Sequence, residues 1–517
     1  MKETAYFELF GRISDRHVAE AILPVAVPVP MPKKRFRETP VGKLVSSPAF
    51  IAAVGAIAAA AIAVGIGLSL VEGKHRGDRP GDPSFGSGET ETLGEWGYDA
   101  EEHPHVERKN YDGEVELYYF SEIMGGGLAY LPDESIYAEA ATLNAELIER
   151  IHMTEDYLGI RINAVDKMAE YGIIDDLVRI SRSGDTRSHL VLGWGNTIAN
   201  LGNREGVMTS WSDVPCIQKE ADYWDGELWE TCTQSGGSFI ACNRFIPPNA
   251  CAIAYNKELY AKCDIQRDLY ALVESGDWTL DTMMAVLTET ADKKTKGLSI
   301  GDLYAANSYL YAAGFSILRP VDTSDGPSVE AVDPTEDEAM LARYAKVLEL
   351  AVHSCIHKGG FHPKVEDGKL LMDTRRTRDL AANAYGVSMG VLPMPKYERA
   401  QSGYVSLHAG AYMGLFAQPD TVQMCGEAAE LLAYFSRDSH ESYDRAVMGV
   451  YGREDGDVQK DLAMLRIIHD ADHELGLIYP PMLAEFANCL VDPVTDLREE
   501  AEQIRYRLRL IKEEYGW

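Results

Sequence analysis

The run VELYYFSEIMGGGLAYLPDESIYAEAATLNAELIERIHMTEDYLGIRINAV, Val115 to Val165, changes its apolar period twice. Val115–Phe120 is a short apolar segment rich in β-formers, Ile136–Tyr157 spaces its apolar residues for a helix, and Ile160–Val165 returns to a strand. The alternation continues with a helix over Met168–Ser181 and a strand over Leu190–Gly193. Strands alternating with helices of this length predict a parallel sheet with right-handed crossovers, an α/β unit that begins near Gly113. Such sheets bind ligands at the carboxyl ends of their strands, so the segments after Phe120 and after Leu192 are the first candidates. Glu122–Gly127 (EIMGGG) is Gly-rich but lacks the G-x-G-x-x-G spacing of a phosphate loop.

Upstream lies a segment of another kind. Ala49–Val71 (AFIAAVGAIAAAAIAVGIGLSLV) holds 23 residues without a charge, enough to cross a hydrocarbon core of about 30 Å at the helical rise. It is too long and begins too late for a cleaved signal peptide, and no cysteine follows it to carry a lipid, since the first is Cys216. Lys33, Lys34, Arg35, Arg37 and Lys43 precede it, while Glu72, Asp78, Asp82, Glu89 and Glu91 follow. The positive-inside rule therefore predicts a single-pass cell-membrane protein with residues 1–48 cytoplasmic, 49–71 spanning, and everything beyond outside. Within the cytoplasmic segment, a short amphipathic stretch near Tyr6–Leu23 precedes a Pro-rich basic connector (VPVPMPKKRFRETP). Residues 72–112, poor in aliphatics, predict a flexible acidic stalk, which leaves 113–517 as the folded module.

Of the 517 residues, 81 are Asp or Glu and 49 Lys or Arg, a net charge of −32. The imbalance is all on the outer side, because residues 1–48 are net basic. So acidic a module repels nucleic acid and anionic membrane surfaces, which argues against a nucleic-acid partner. The eight cysteines contain no C-x-x-C pair, so a structural zinc site is not expected, whereas one or two disulfides in the Cys216–Cys263 region are. Free buried thiols are the alternative.

Several segments, in order, carry a resemblance. Ser183-Gly-Asp185 leads into the run at Leu190, with His189 where an Asp is usual; Ala252-Ile-Ala-Tyr255-Asn-Lys-Glu-Leu259 ends an apolar strand in Y-N-K-x-L. Ser275-Gly-Asp-Trp278-Thr-Leu-Asp281 has the form G-x-W-T-x-D, and Gly390-Val-Leu-Pro-Met-Pro-Lys-Tyr397-Glu-Arg-Ala-Gln401 the form G-x-L-P-x-P-K-Y-x-x-A-Q. Val447–Arg453, Asp461–Ile468 and Leu475–Tyr479 follow. Over about 113–479 the chain resembles family 1 extracellular solute-binding proteins of ABC importers, the maltose-binding-protein-like group, and particularly a subgroup from Gram-positive gut anaerobes. The resemblance implies a two-lobed periplasmic-binding-protein-like fold of type II that closes about a hinge. Its first lobe would comprise about 113–250 and 414–450 and its second about 256–406, with C-terminal helices within 460–517 packing across both. The chain would cross between lobes near Asn249–Ala254 and His408–Met413. It further implies a non-enzymatic protein without cofactor that captures a small solute, a carbohydrate first of all, and delivers it to an ABC permease.

A sugar presents C–H faces and many hydroxyls, so its cleft needs aromatic platforms beside Asp, Asn, Glu, Arg or His. Tyr119 and Glu122 follow the first strand, and Trp194 with Asn196 follows Leu190–Gly193, the loop that by analogy with maltose-binding proteins reaches the sugar. Trp194 is read equally as a core or lid residue. Trp224, in the aromatic and acidic stretch ADYWDGELW, is a rim or a packing residue. Asp302, Tyr304 and Asn307 follow the strand-like Gly297–Ile300; Arg375 occupies a segment that carries a cleft-facing aromatic in the maltose-binding group; His408 lies at the second crossing. Two rival readings remain. A surface hydrolase would need a carboxylate pair, which so acidic a chain always offers, but H-E-x-x-H is absent. A tethered ligand sensor would signal through the span to the cytoplasmic segment. His353 and His357 could share a helix face, with His362 near, but no Glu completes a metal motif.

Overall fold

In the computed structural model, residues 104–515 are described apart from internal stretches, the longest being 120–127, 131–138, 358–364, 381–386 and 474–489. The expected cytoplasmic segment, span and stalk up to residue 103 lie outside the described residues; among those described, no helix is long and apolar enough to cross a membrane.

The first sheet grows from the segment Val115–Val165. Strand β1 (Gly113–Tyr119) buries Val115 and Leu117 between more exposed Glu114 and Glu116, the period-2 pattern of a half-covered strand. Helix α1 (Ala140–Leu158) buries Leu143, Leu147, Ile151, Thr154 and Leu158, spacings of three and four that keep one stripe against the sheet. It ends at Gly159, whose φ of 61° is left-handed and where a Cβ would collide with Asn110. Then come β2 (Ile160–Asp166), α2 (Glu170–Ser183), β3 (Ser188–Gly193), buried along all six residues, and the short helix α3 (Gly195–Gly202). β1 lies between β2 and β3 and is parallel to both, with Val115 opposite Ile162 and Leu117 opposite Leu190.

A second sheet is built from β4 (Cys251–Asn256), β5 (Lys296–Ile300), β6 (Ile356–His357), β7 (Leu370–Arg376) and β8 (Met389–Leu392), in the order β6-β5-β7-β4-β8. β5 is parallel to β6 and β7, whereas β4 runs antiparallel to β7 and β8. Helices α4 (Leu280–Thr290), α5 (Leu303–Ala312) and α6 (Glu338–Val352) belong to this half. The chain then returns to the first sheet as the antiparallel edge strand β9 (Tyr412–Phe416) and continues through helices α7 (Val422–Phe435), α8 (Ser439–Val447) and α9 (Gly456–His469) to a last helix, Ala501–Tyr515. The two passages between sheets lie side by side. Ala250 bridges His408, the Cys251 N–H donates to the Leu407 carbonyl at 2.9 Å, and the Ser406 hydroxyl donates to the Cys251 carbonyl at 3.0 Å.

The segments that carry the resemblance lock onto one another. The fully buried Trp278 donates its indole N–H to the Pro393 carbonyl at 2.9 Å, and the backbones of Trp278–Leu280 and Lys396 exchange two further bonds. Asn256, the Asn of Y-N-K, accepts from the Leu259 N–H at 2.7 Å and caps the helix Lys257–Lys262. Lys257 reaches α9, where its ammonium lies 2.7 Å from Asp461; the Tyr270 hydroxyl donates to the same carboxylate at 2.6 Å. Pro393 and Pro395 follow β8, an edge strand, where a missing N–H costs the sheet nothing.

The disulfide expectation is corrected. Cys216, Cys242, Cys251 and Cys263 are all free, as is Cys425. Burial pushes the thiols of Cys216, Cys242 and Cys425 up to about 12, so these are inert packing residues. Among the described residues no group of three or more His, Cys, Asp and Glu is placed to hold a metal ion.

Candidate ligand-binding site

The strand directions bring the carboxyl ends of both sheets to the crossing segments. In the first sheet β1 ends at Tyr119 and β3 at Gly193, and Tyr412 opens β9 directly opposite Gly193. In the second, β5 ends at Ile300 beside Thr374, and β7 ends at Arg376 opposite Cys251, the first residue of β4. The two sets meet through the crossings: Ala250 and Thr377 exchange hydrogen bonds, Ala250 bridges His408, and the His408 ring lies 5.0 Å from that of Tyr412.

Of the residues singled out in the sequence, Tyr119 stands opposite Asp166; burial first, and then that carboxylate, pushes its phenol up. Trp194 is half-buried, packs against the hydrophobic core and occupies the N-cap of α3 with extended backbone. Asn196 lies in the first turn of α3. Tyr304 is half-buried near the start of α5, with the Arg376 guanidinium 5.9 Å from its ring centroid. Arg376 also donates to Asp379 at 2.7 Å, and Arg375 donates to Asp373 at 2.5 Å and to the Asp379 carbonyl at 3.2 Å. These arginines are therefore held flat against their own strand end rather than free to swing. Asn307 is fully buried within α5. Glu122 and Asp302 lie outside the described residues.

Trp224 sits elsewhere. It is 5% exposed, packs 5.9 Å from Trp211, and donates its indole N–H to Glu430 at 2.8 Å. Glu430 also accepts from the Tyr223 hydroxyl at 2.8 Å and the Gln218 N–H at 3.1 Å. Burial raises its carboxyl while these three donors pull the other way. Trp224 and His408 both line a cavity of about 460 Å³ beside the crossings, which none of the other singled-out residues among those described reaches.

Sequence reasoning missed three residues of that cavity wall. Arg244 donates from Nη1 to His440 Nδ1 at 2.6 Å, and His440 Nε2 faces the Ile246 carbonyl at 2.9 Å. This fixes the tautomer: Nε2 carries the hydrogen and Nδ1 accepts. Burial and the neighbouring Arg244 hold His440 well below its ordinary value. His469 Nε2 lies 3.4 Å from Asp444 Oδ1, and burial pushes the Asp444 carboxyl well up. Nothing in the local sequence joins Arg244 to His440. Glu430 was more legible: a carboxylate in the apolar helix VQMCGEAAELLAYF must find buried donors.

No family model matches the chain, and no curated protein matches it. Among solved structures, three similar ones are binding proteins. The GacH receptor of Streptomyces glaucescens, solved with acarbose, is 13% identical over 78% of this chain and 98% of its own, with a TM-score of 0.46. The cyclic α-maltosyl-1,6-maltose binding protein from Arthrobacter globiformis is 14% identical over 77% and 98%, TM-score 0.49. An ABC substrate-binding protein from Listeria monocytogenes in complex with cycloalternan is 14% identical over 78% and 99%, TM-score 0.48. Similarity at this level identifies no ligand for this chain.

Proposed function

We propose that the chain is an extracellular solute-binding protein that captures a carbohydrate for an ABC importer, held at the cell membrane by residues 49–71 and lifted from it by the stalk. The observation that carries this reading is the convergence of strand carboxyl ends from two sheets on a pair of hydrogen-bonded crossing segments. A ligand seated there touches groups from both sheets, Trp194 on one side and Tyr304 with Arg376 on the other, and favours the closed arrangement through those joint contacts. Half-buried aromatics beside fixed guanidiniums suit the C–H faces and hydroxyls of a sugar. The ordered segments from Tyr255 to Asp461 support the same reading.

Thermal melting of the full-length chain with oligosaccharides, amino acids and peptides tests the proposal. Binding should raise the melting temperature progressively, as RT ln(1 + [L]/Kd) requires, with oligosaccharides the effective class. Consumption of a saccharide without saturable stabilisation would refute it. Protease digestion of intact cells tests the topology: the module should be cleaved from outside while residues 1–48 are protected.

A further inference from the structure

The cavity beside the crossings shares Ala250 and His408 with the convergence and is otherwise lined by other residues. Its walls come from separate parts of the chain: segment 222–226, the first crossing at 242–250, His408 of the second, and the ends of two helices through His440 and His469. Two of the lining side chains are braced within the fold. Arg244 is held by the Asp222 carbonyl at 3.2 Å and by His440, while Asp225 accepts from the Leu228 N–H at 2.9 Å. Exposed Asp222 and Asp470 give it a polar, open mouth.

The chemistry of the lining narrows the occupant. Asp222, Asp225 and Asp470 face it with one guanidinium, Arg244, so an anion is repelled. The exposed Asp222 and Asp470 carboxylates offer acceptors and the Arg244 guanidinium offers the N–H groups left over by the Asp222 carbonyl and His440; with Pro247, Pro248 and Ile246 in the same lining, this matches the hydroxyls and C–H faces of a small ring. Its size lies within the ~300–1,000 Å³ of small-molecule sites. We infer that this cavity is a second binding site, for one uncharged, polyhydroxylated molecule of monosaccharide size. Because Asn249, Ala250 and His408 line it, the occupant touches both crossing segments, and its binding is thermodynamically coupled to whatever the crossings do.

The test is calorimetric titration of the full-length chain with D-glucose, D-mannose and myo-inositol. At least one should bind with a single-site isotherm. The pair Asp225→Asn and Asp470→Asn, which preserves size and the Leu228 acceptor, should weaken it tenfold or more, whereas Trp194→Ala should change it less than twofold. Asp470→Asn alone, at an exposed position, replaces the pair if the double variant does not melt like the parent. Absence of binding by all three probes overturns the inference, as does a loss caused by Trp194→Ala. Oligosaccharide binding, read separately on the same samples, reports on the strand-end site; its failure alone sinks the capture proposal and leaves this cavity standing.

Discussion

The junction around Trp278 and the convergence around the crossings are both polar, yet they are built differently. At the junction every polar group named above is spent on another part of the fold: indole on Pro393, Lys257 and Tyr270 on Asp461, Asn256 on a helix start. At the crossings the aromatics Trp194 and Tyr304 are half-buried, and the cavity beside them opens at the exposed Asp222 and Asp470. Residues that give a chain its recognisable pattern can thus be scaffold, while Arg244 and His440 of the cavity wall belong to no recognisable pattern. Substitutions at the junction should cost stability and leave intrinsic affinity alone; at the convergence they should do the reverse.

The largest effect is expected at Trp278. Its side chain is fully buried and its N–H is bonded, so Trp278→Ala should cost about 3–5 kcal/mol in denaturant unfolding. A loss below 1 kcal/mol would mean that the junction is not scaffold. Next comes Tyr270→Phe, which removes the hydroxyl from the buried Asp461 but leaves Lys257 in place. The expected cost is about 1–3 kcal/mol, the penalty for an under-satisfied buried acceptor. An unchanged midpoint would show that Lys257 alone suffices.

The alternation that gives the first sheet was legible because it is local: Val115 and Leu117 mark a strand, and the stripe from Leu143 to Leu158 marks a helix. The antiparallel edge β9 was not, since its register against β3 depends on a segment more than two hundred residues away and on no local pattern. Likewise the ordered segments around Trp278 and Lys396 could be recognised singly, but their mutual hydrogen bonds could not. Trp224 posed a choice between rim and packing that only Glu430 and the neighbouring cavity resolve: its polar edge is bonded inward, and one face borders open space. Arg244 and His440, on separate elements, carry no spacing that sequence alone could read.

At the convergence, Trp194→Ala should lower the unfolding midpoint less than Trp278→Ala, because Trp194 packs against the core but is only partly buried, and should weaken oligosaccharide binding about tenfold, or ~1.4 kcal/mol. Melting and titration on one preparation separate the two. If stability falls as far as for Trp278→Ala while affinity stands, Trp194 belongs with Trp278 as scaffold and the contrast between the regions fails on that side.

The smallest effect lies between the regions, at His440. Burial and Arg244 hold its pKa well below the ordinary 6.5, so the unfolded chain binds a proton more readily than the folded one. Its contribution is present above about pH 6.5 and is lost as pH falls toward the depressed folded value, with a slope of at most about 1.4 kcal/mol per pH unit. Asp444, pushed up by burial, acts in the opposite sense: its contribution is present below 3.8 and is lost as pH rises through its folded value. The two can therefore mask one another in the parent protein. His440→Asn keeps an acceptor for Arg244 and removes the titration, so the stability difference between parent and variant should shrink from pH 7.5 to 5.5. A difference independent of pH would show that the imidazole is protonated as readily in the fold as outside it, and that the cavity wall beside the crossings is wet rather than closed.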